Sequence, residues 1–416
     1  MSSVRLPRGF RKLSAPARRE AFADALGLDA SDRAADAAFA DLADVMVESS
    51  VGIMPVPLGI ATDFVIDEEK VSVPLATEEP SVVAAANYAA HVVARAGGFR
   101  TSADPPVMTA QVFLEGTTAD TPSTLYAHRS QLEAVAQDGL ERMEARGGGF
   151  RALRVEALSD PGLCKLEVDV DVRNAMGANL LNTLAERLRG EAERVSGATG
   201  LMAILTNAAR SRRARAEFSI PVSRLARAGY SGEDAARRIV RAARVAELDR
   251  GRAVTHNKGL MNGVTALALA TANDTRAIEA AVHAWASRSG SYRSLTEYRI
   301  EDETLHARVE LPLAFATVGG AVSFHPSAQR ALRLLGSPDA PRLSRIAAAV
   351  GLAQNFAAVY ALVTEGIQHG HMRLHAARVA YKAGARGEEV RRVGDAMWQS
   401  GEIHEEAARR ILEDAP

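Results

Sequence analysis

The hydrophobic pattern of residues 107–206 admits few folds. Apolar residues alternate over 107–114 and fall at helical spacing over 128–146. They alternate again over 150–158 and 163–172, on either side of Asp160-Pro161-Gly162, then return to helical spacing over 175–195 and to alternation over 201–206. Strand side chains repeat every second residue and helical ones about every 3.6, and Pro-Gly marks the turn of a strand pair. The order βαββαβ predicts a ferredoxin-like unit. Gly97-Gly98 and Asp104-Pro105-Pro106 break the chain ahead of it, and larger helical and mixed segments lie on both sides. The expected fold class is α+β: a large mixed helical domain made of residues 1–105 and 207–365, a small domain inserted at 106–206, and a charged C-terminal helical flap over 366–416. In the large domain, 14–48 reads as helices, 52–75 as short β-rich pieces, and the small-residue run after Glu79-Pro80-Ser81 as a tightly buried helix.

At 416 residues the chain is too long for one ordinary core. Aromatics are only 5%, so alanine, valine and leucine must do most of the packing. The net charge of −1 gives no bulk attraction to nucleic acid or anionic membrane, and neither is expected as a partner. The apolar runs are short and interrupted, so no transmembrane helix is expected, and Met1 to Phe10 lacks the apolar core of a signal peptide. The single cysteine, Cys164, excludes an intrachain disulfide and suits a reducing cytosol, so the expected location is cytoplasmic.

One lysine stands out. In Arg252-Ala-Val-Thr255-His-Asn-Lys258-Gly-Leu-Met-Asn262-Gly263, Lys258 lies among hydrogen-bonding residues and glycines that fit neither a helix nor a strand pattern, and Asp274 follows. A cation so placed suits a developing oxyanion. Glu79, at a helix start, is by itself more often a charge meeting the helix dipole; partly buried, it could hold a proton near neutrality. Asn174-Ala-Met176-Gly177-Ala-Asn179 opens the second helix of the small domain, where small residues let backbone approach a phosphate; the alternative is a tight strand-to-helix turn. No G-x-G-x-x-G is present, so a Rossmann site is not supported. His371 and His375 are four apart, a metal-ligand spacing, but there is no H-E-x-x-H, and Gly370 beside His371 suggests instead a moving acid/base group. The basic run Arg210 to Arg215 reads as a solvated face.

Taken in order, Glu78-Glu79-Pro80-Ser81, Ala175-Met176-Gly177-Ala178-Asn179, Thr255-His256-Asn257-Lys258-Gly259, Asn273-Asp274, Gly351-Leu352-Ala353-Gln354-Asn355 and Gly370-His371-Met372 resemble the motifs of hydroxymethylglutaryl-coenzyme A (HMG-CoA) reductases of the bacterial class II type. The likeness runs from Arg5-Leu6-Pro7 to at least His375. It implies two hydride transfers from NAD(P)H that interconvert HMG-CoA with mevalonate and coenzyme A, in either physiological direction. It implies that Lys258 holds the carbonyl oxygen, Asp274 sits beside Lys258, Glu79 delivers a proton in the second reduction, and His371 protonates the coenzyme A thiolate. Arg252 would bind the substrate carboxylate, with Ser81, Thr255, Asn262, Asn207 and Gln354 completing the pocket and Arg11 meeting coenzyme A. The inserted domain would bind the dinucleotide through Asn174, Met176, Gly177 and Asn179, with Asp138 on the adenosine ribose favouring NAD(H), and Arg142 and Arg146 leaving NADP(H) possible. No metal is implied. Glu79 and Lys258 would come from different subunits, making a dimer, or a multiple of dimers, the active form. The chain departs from the family pattern at Glu48-Ser49-Ser50-Val51-Gly52 and at Asn174, where the family commonly has aspartate. Two rival readings remain: a metal-dependent hydrolase built on His369, His371 and His375, and a catalytically silent acyl-CoA-binding protein.

Overall fold

The computed structural model describes residues 4–13 and 55–414, with a few isolated positions between 17 and 46; the side chains of residues 11, 367–371, 373 and 374 lie outside that description. The helices expected over 14–48 and the departure at Glu48 to Gly52 fall almost wholly outside the described residues. Strands β1 (Leu58–Ile66) and β2 (Glu69–Ala76) form an antiparallel hairpin, against which helix α1 (Val82–Ala94) packs. β3 (Arg100–Ala103) leads to β4 (Val107–Glu115), α2 (Thr121–Ala127), α3 (Arg129–Gln137), the single turn α4 (Glu141–Glu144), the β5 (Gly149–Ala157) and β6 (Leu163–Asp171) pair, α5 (Ala178–Ser196) and β7 (Thr199–Thr206). The chain continues through β8 (Arg213–Pro221), α6 (Gly232–Leu248), α7 (Arg250–Ala270), α8 (Thr275–Ala286), β9 (Thr296–Glu301), β10 (Thr304–Pro312), α9 (Pro326–Leu334) and α10 (Ala340–Val363). It ends in α11 (Ile367–Lys382), α12 (Glu388–Ser400) and α13 (Glu405–Glu413). The architecture is α+β.

Two four-stranded antiparallel sheets organise the chain, in orders β5-β6-β4-β7 and β3-β8-β10-β9. In the first, Met108, Ala110, Val112 and Leu114 alternate with half-buried residues on β4, and Cys164, Leu166, Val168 and Val170 do so on β6. That face is covered by Leu132 of α3 and by Leu181, Leu184 and Leu188 of α5. The helical run expected over 128–146 is broken where Gly139 takes a φ of 82°. The second sheet packs with α1, α7 and α10 around a line of ring contacts, Phe64–Phe99–Phe218–Phe356–Tyr360. Helix α10 is long and apolar enough to cross a membrane, but 78% of its apolar window is buried in this core. Helices α11–α13 bury Ala376, Ala380, Val393, Met397, Ala407 and Ala408 in a cluster of their own.

Two sequence readings are corrected here. The stretch around Lys258 is not irregular: it lies inside α7, a helix of 21 residues. Ala253, His256, Asn257, Leu260, Met261, Gly263, Val264, Leu267 and Ala268 are all buried, against β2, α1, α6 and α10. A helix buried on most of its circumference loses the one-sided pattern by which helices are read. Nor is the basic run simply a solvated face. Arg212 is 3% exposed and donates to Ala175 O (3.2 Å) and Phe315 O, tying the two sheets' bodies together. Burial lowers its pKa to about 10, against the opposing charge of Asp171. Arg213 and Arg215 pair across strands with Asp104 and Glu310.

Candidate active site

Arg252, Thr255, Lys258, Asn262, Thr265 and Leu269 form a stripe of α7 that escapes burial at helical spacing, beside exposed Val254 and half-buried Gly259. β2 runs toward this stripe and ends at Ala76. Thr77 N donates to Pro57 O (3.0 Å) and Glu79 N to Thr77 Oγ1 (3.1 Å), so the turn projecting Glu79 is fixed by its own hydrogen bonds. Ser81 closes the turn in the left-handed region, with a φ of 75°, ahead of α1. The result is a contact of 2.7 Å between Lys258 Nζ and Glu79 Oε2. The side chains are 58% and 35% exposed. An exposed pair of this kind contributes about 0–1 kcal/mol to stability, which leaves chemistry as the better reason for its geometry.

Two further polar atoms belong to the same neighbourhood. Ser81 Oγ and Gln354 Oε1 are buried and have no hydrogen-bond partner among the described residues. Buried polar atoms are nearly always satisfied, so unpaired ones beside a reactive pair suit a polar ligand. Gln354 lies where α10 crosses α7: a Cβ on Gly263, next to Asn262, would stand 3.2 Å from Gln354 Cβ. Arg252 N caps onto Asp249 Oδ1 (2.6 Å) at the start of α7, and Thr255 Oγ1 turns back to Gly251 O (3.4 Å).

Several expected positions come out differently. Glu79 and Lys258 meet within one chain, so they do not require two subunits. Asp274 does not sit beside Lys258 in this chain. It caps α8, accepting from Ala277 N at 3.0 Å, and its ion pair is with Arg276. The helix from Lys258 to Ala270 alone spans about 18 Å at the usual rise. Asn174 is turned inward: its Oδ1 accepts from Ala340 N at the start of α10 (3.0 Å), and its carbonyl accepts from Thr317 N and Val318 N. Asp138 is exposed and lies 3.6 Å from Arg187. Asn207 is exposed just beyond β7. Arg11 lies in a short 3-10 turn, Phe10–Lys12. His371 belongs to α11, with its side chain outside the described residues. Among the described residues no group of three His, Cys, Asp or Glu side chains could hold a metal ion.

The start of α5 has the backbone geometry of an anion cradle. Gly177, at φ 86°, precedes the helix, and a Cβ there would stand 2.6 Å from Val172 Cγ1. Only glycine fits both the backbone and the space. Asn179 is exposed in the first turn of a 19-residue helix whose N-terminus favours an anion. Arg151 and Arg173 flank Asp171 just before the loop, at 2.9 and 3.6 Å.

One group was missed in the sequence. Glu279 on α8 accepts from Thr265 Oγ1 (2.6 Å), two turns along α7 from Lys258, and its other oxygen meets His283 Nε2 at 2.9 Å. His283 Nδ1 meets Tyr292 OH at 2.7 Å. Burial alone would raise the Glu279 carboxyl, but hydrogen bonds from His283 and Thr265 and the charges of His283 and Lys258 bring it below the ordinary value. The available signal was an acid and a histidine four apart on a helix that follows Asp274.

The hydroxymethylglutaryl-coenzyme A reductase family model matches residues 14–376. The 3-hydroxy-3-methylglutaryl-coenzyme A reductase of Archaeoglobus fulgidus is 39% identical, over 99% of this chain and 94% of its own. A solved structure of the Streptococcus pneumoniae enzyme superposes with a TM-score of 0.82 at 37% identity, covering 98% of this chain and 99% of that one. Another pneumococcal structure, of the class II enzyme bound to NADPH in open conformations, gives 0.81 and covers 86% of this chain and 99% of that one. With a family model across most of its length and relatives matched nearly end to end, the chain belongs to the class II hydroxymethylglutaryl-coenzyme A reductases.

Proposed function

We propose that this chain interconverts HMG-CoA with mevalonate and coenzyme A, at a site centred on Lys258 and Glu79. Their 2.7 Å contact carries the reading. Each of the two reductions adds a hydride to a carbonyl carbon and leaves negative charge on oxygen. The Lys258 ammonium stabilises that charge twice, first on the thioester carbonyl and then on the aldehyde. Glu79, within proton-transfer reach of the same oxygen, delivers a proton in the second step. Arg252, a turn and a half away on the same stripe, takes the substrate carboxylate. Ser81 and Gln354 supply their unpaired oxygens to substrate hydroxyl or amide groups, with Thr255, Asn262 and Asn207 around them. His371, on α11, protonates the departing thiolate. A cavity of about 750 Å³ lined by Arg5, Arg8, Lys12, Lys70 and His91 lies along the β1–β2 hairpin and, with Arg11, suits the phosphates of coenzyme A.

The unit at 106–206 is proposed as the dinucleotide domain. Its sheet order β5-β6-β4-β7 supports a ferredoxin-like assignment. A bound nicotinamide nucleotide supplies the hydrides; Met176, Gly177 and Asn179 would hold its phosphates at the α5 N-terminus. Asn174 is better assigned to bracing that loop. Asp138, which the resemblance puts on the adenosine ribose of NAD(H), faces Arg187 at 3.6 Å. Arg151 and Arg173 lie beside the loop, and a pneumococcal relative is bound to NADPH, which favours NADP(H) as the cofactor. Residues 366–416, with their own core, are proposed as the flap that closes on substrate and keeps the aldehyde in place. Asp274 reaches Lys258 only from a second copy. A two-fold axis crossing the exposed stripe of α7 midway between the two positions would deliver it, so the proposed active form is a dimer with a shared site. A cytoplasmic location goes with this reading.

The test is an absorbance assay at the nicotinamide band, with mevalonate and coenzyme A against NADP⁺ and NAD⁺ in turn. Signal with at least one nucleotide is expected, lost by three orders of magnitude or so in Lys258→Ala with coenzyme A affinity retained. Silence with both nucleotides, or an active Lys258→Ala enzyme, would overturn the reading.

A further inference from the structure

Three residues, Thr364-Glu365-Gly366, join α10 to α11. The chain leaves α10 sharply: Thr364 has a ψ of −93°, and Gly366 has a φ of 83° while its N–H turns back to Ala361 O at 2.8 Å. Between them Glu365 reaches across to Arg227, on the loop before α6. Arg227 Nε donates to Glu365 Oε2 at 3.2 Å and Nη2 donates to Oε1, a bidentate pair. The guanidinium lies over two rings, Tyr88 of α1 at 4.3 Å and Tyr360 of α10 at 5.1 Å. Its remaining nitrogen, Nη1, is buried with no partner among the described residues. Arg227 is itself fixed. It exchanges backbone hydrogen bonds with Tyr230 (2.9 and 3.2 Å) across a tight turn with positive φ at Ala228 and Gly229. Tyr360 OH donates to Leu225 O at 2.7 Å. Arg238 Nη1 donates to Val363 O at 3.2 Å, so two cations meet the C-terminal end of α10, where the helix dipole is negative. Past Gly366 the packing changes, because α11–α13 bury a core of their own.

We propose that Arg227 is a positioning residue for the reaction: by clamping Glu365 it fixes the pivot about which α11 swings, and so the place to which His371 is brought. The proposal rests on the flap reading and on the thiolate-protonating role given to His371 above. His371 is the fifth residue after Gly366, in the second turn of α11. At the usual rise it lies roughly 8 Å from the pivot. A helix is stiff, so freedom at its first residue passes directly to every side chain on it. A misplacement of about 1 Å costs an acid/base group about 100-fold in rate. The pivot must therefore be rigid on one side and free on the other. Glu365, held by both oxygens, supplies the rigid side; Gly366, without a Cβ, supplies the free one. The clamp is hard to release. Moving Glu365 away would leave a cation between two rings with one nitrogen already unpaired, and a part-buried charge without its partner is disfavoured. Lysine at 227 would keep the charge but not the fork that holds two oxygens at once. Arg227 acts on Glu365 and only through it on the reacting atoms.

The experiment compares wild type, Arg227→Gln, Glu365→Gln and the double variant in two measurements. The first sets kcat for HMG-CoA reduction, which needs thiolate protonation, against kcat for reduction of free mevaldehyde, which does not. HMG-CoA reduction is expected to fall about tenfold in either single variant, with mevaldehyde reduction within about twofold of wild type. The double variant is expected to be no slower than the singles, since each removes the same clamp. Arg227→Lys is expected to behave as Arg227→Gln does. The second measurement is backbone amide exchange without substrate, read by mass spectrometry. Exchange over the junction, 361–371, should quicken in both single variants, while α12 and α13 exchange as in wild type. Equal loss of the two reductions, additive losses in the double variant, or unmoved exchange at the junction would overturn the proposal. Should Arg227→Gln fail to fold, Glu365→Gln, at a side chain 31% exposed, carries the same expectations. His371→Gln is run alongside. If it slows both reductions alike, or if wild type shows no reductase activity, the functional reading fails by itself, and amide exchange in the single and double variants still decides whether Arg227 and Glu365 hold the pivot.

Discussion

His256 and Lys258 stand two residues apart on α7 and meet opposite surroundings. Lys258 reaches solvent and Glu79; His256 is 2% exposed and bonds Thr296 Oγ1 at 2.6 Å. Burial, and then the charge of Arg252, hold the His256 pKa down at about 4. The unfolded chain therefore binds this proton more readily than the folded one between its ordinary value of 6.5 and about 4. The stability that neutral His256 contributes is complete above the upper value and is lost as pH falls through the window, by about 3 kcal/mol in all. Thermal melts from pH 7.5 to 4.5 should show that decline, and His256→Gln should flatten it; an equally steep decline in the variant would assign it to other groups. At this scale the sequence singled out Lys258 by its neighbours and Glu79 only through the family resemblance. It could not place Glu279, because a helical Glu–His pair is common and only the 2.6 Å contact with Thr265 ties it to α7.

Helices α7 and α10 cross at glycines. A Cβ on Gly263 would meet Val350 Cγ1 at 2.9 Å and Val350 O at 3.1 Å, and one on Gly351 would meet Val264 Cγ2 at 2.8 Å. The close approach brings the Lys258 stripe and Gln354 to one place. Gly263→Ala should cost about 1–3 kcal/mol in chemical denaturation through forced separation of the helices. It should also raise KM, since Gln354 Cβ is within 3.2 Å of the new methyl; a variant with native stability and KM would show that the crossing has slack. The β4–β7 unit was legible because its sheet is buried on one face, which leaves alternation in the sequence. Helix α7 was not, because burial on several sides erases periodicity. The break at Gly139 in the expected 128–146 helix was marked only by the glycine itself.

For the whole molecule the question is how many chains make a site. Glu79 and Lys258 are joined within one chain, and Asp274 is removed from them by the part of α7 that follows Lys258. If Asp274 of a second copy completes the site, inactive Lys258→Ala and Asp274→Ala proteins should recover activity when refolded together. Random pairing makes half of the dimers mixed, each with one intact site of two, so about a quarter of wild-type activity is expected. No recovery, with mixed dimers verified by mass, would place Asp274 outside the site. The C-terminal helices add a second scale of organisation. Their separate core and the hydrogen bond from Arg378 Nη2 to Glu78 O (3.2 Å) set them against the turn that carries Glu79.

By itself the sequence determined the family likeness. Six ordered motifs resemble the class II reductases, and local patterns fix strands and helices whose two faces differ in polarity. Tertiary structure decided which of those groups meet. It put Glu79 against Lys258 in one chain, sent Asp274 to a helix cap, turned Asn174 inward to brace α10, and brought Glu279 to Thr265 on the Lys258 stripe. Contacts between residues scores of positions apart depend on how buried helices cross, and the packing that sets those crossings leaves little periodic trace in the chain.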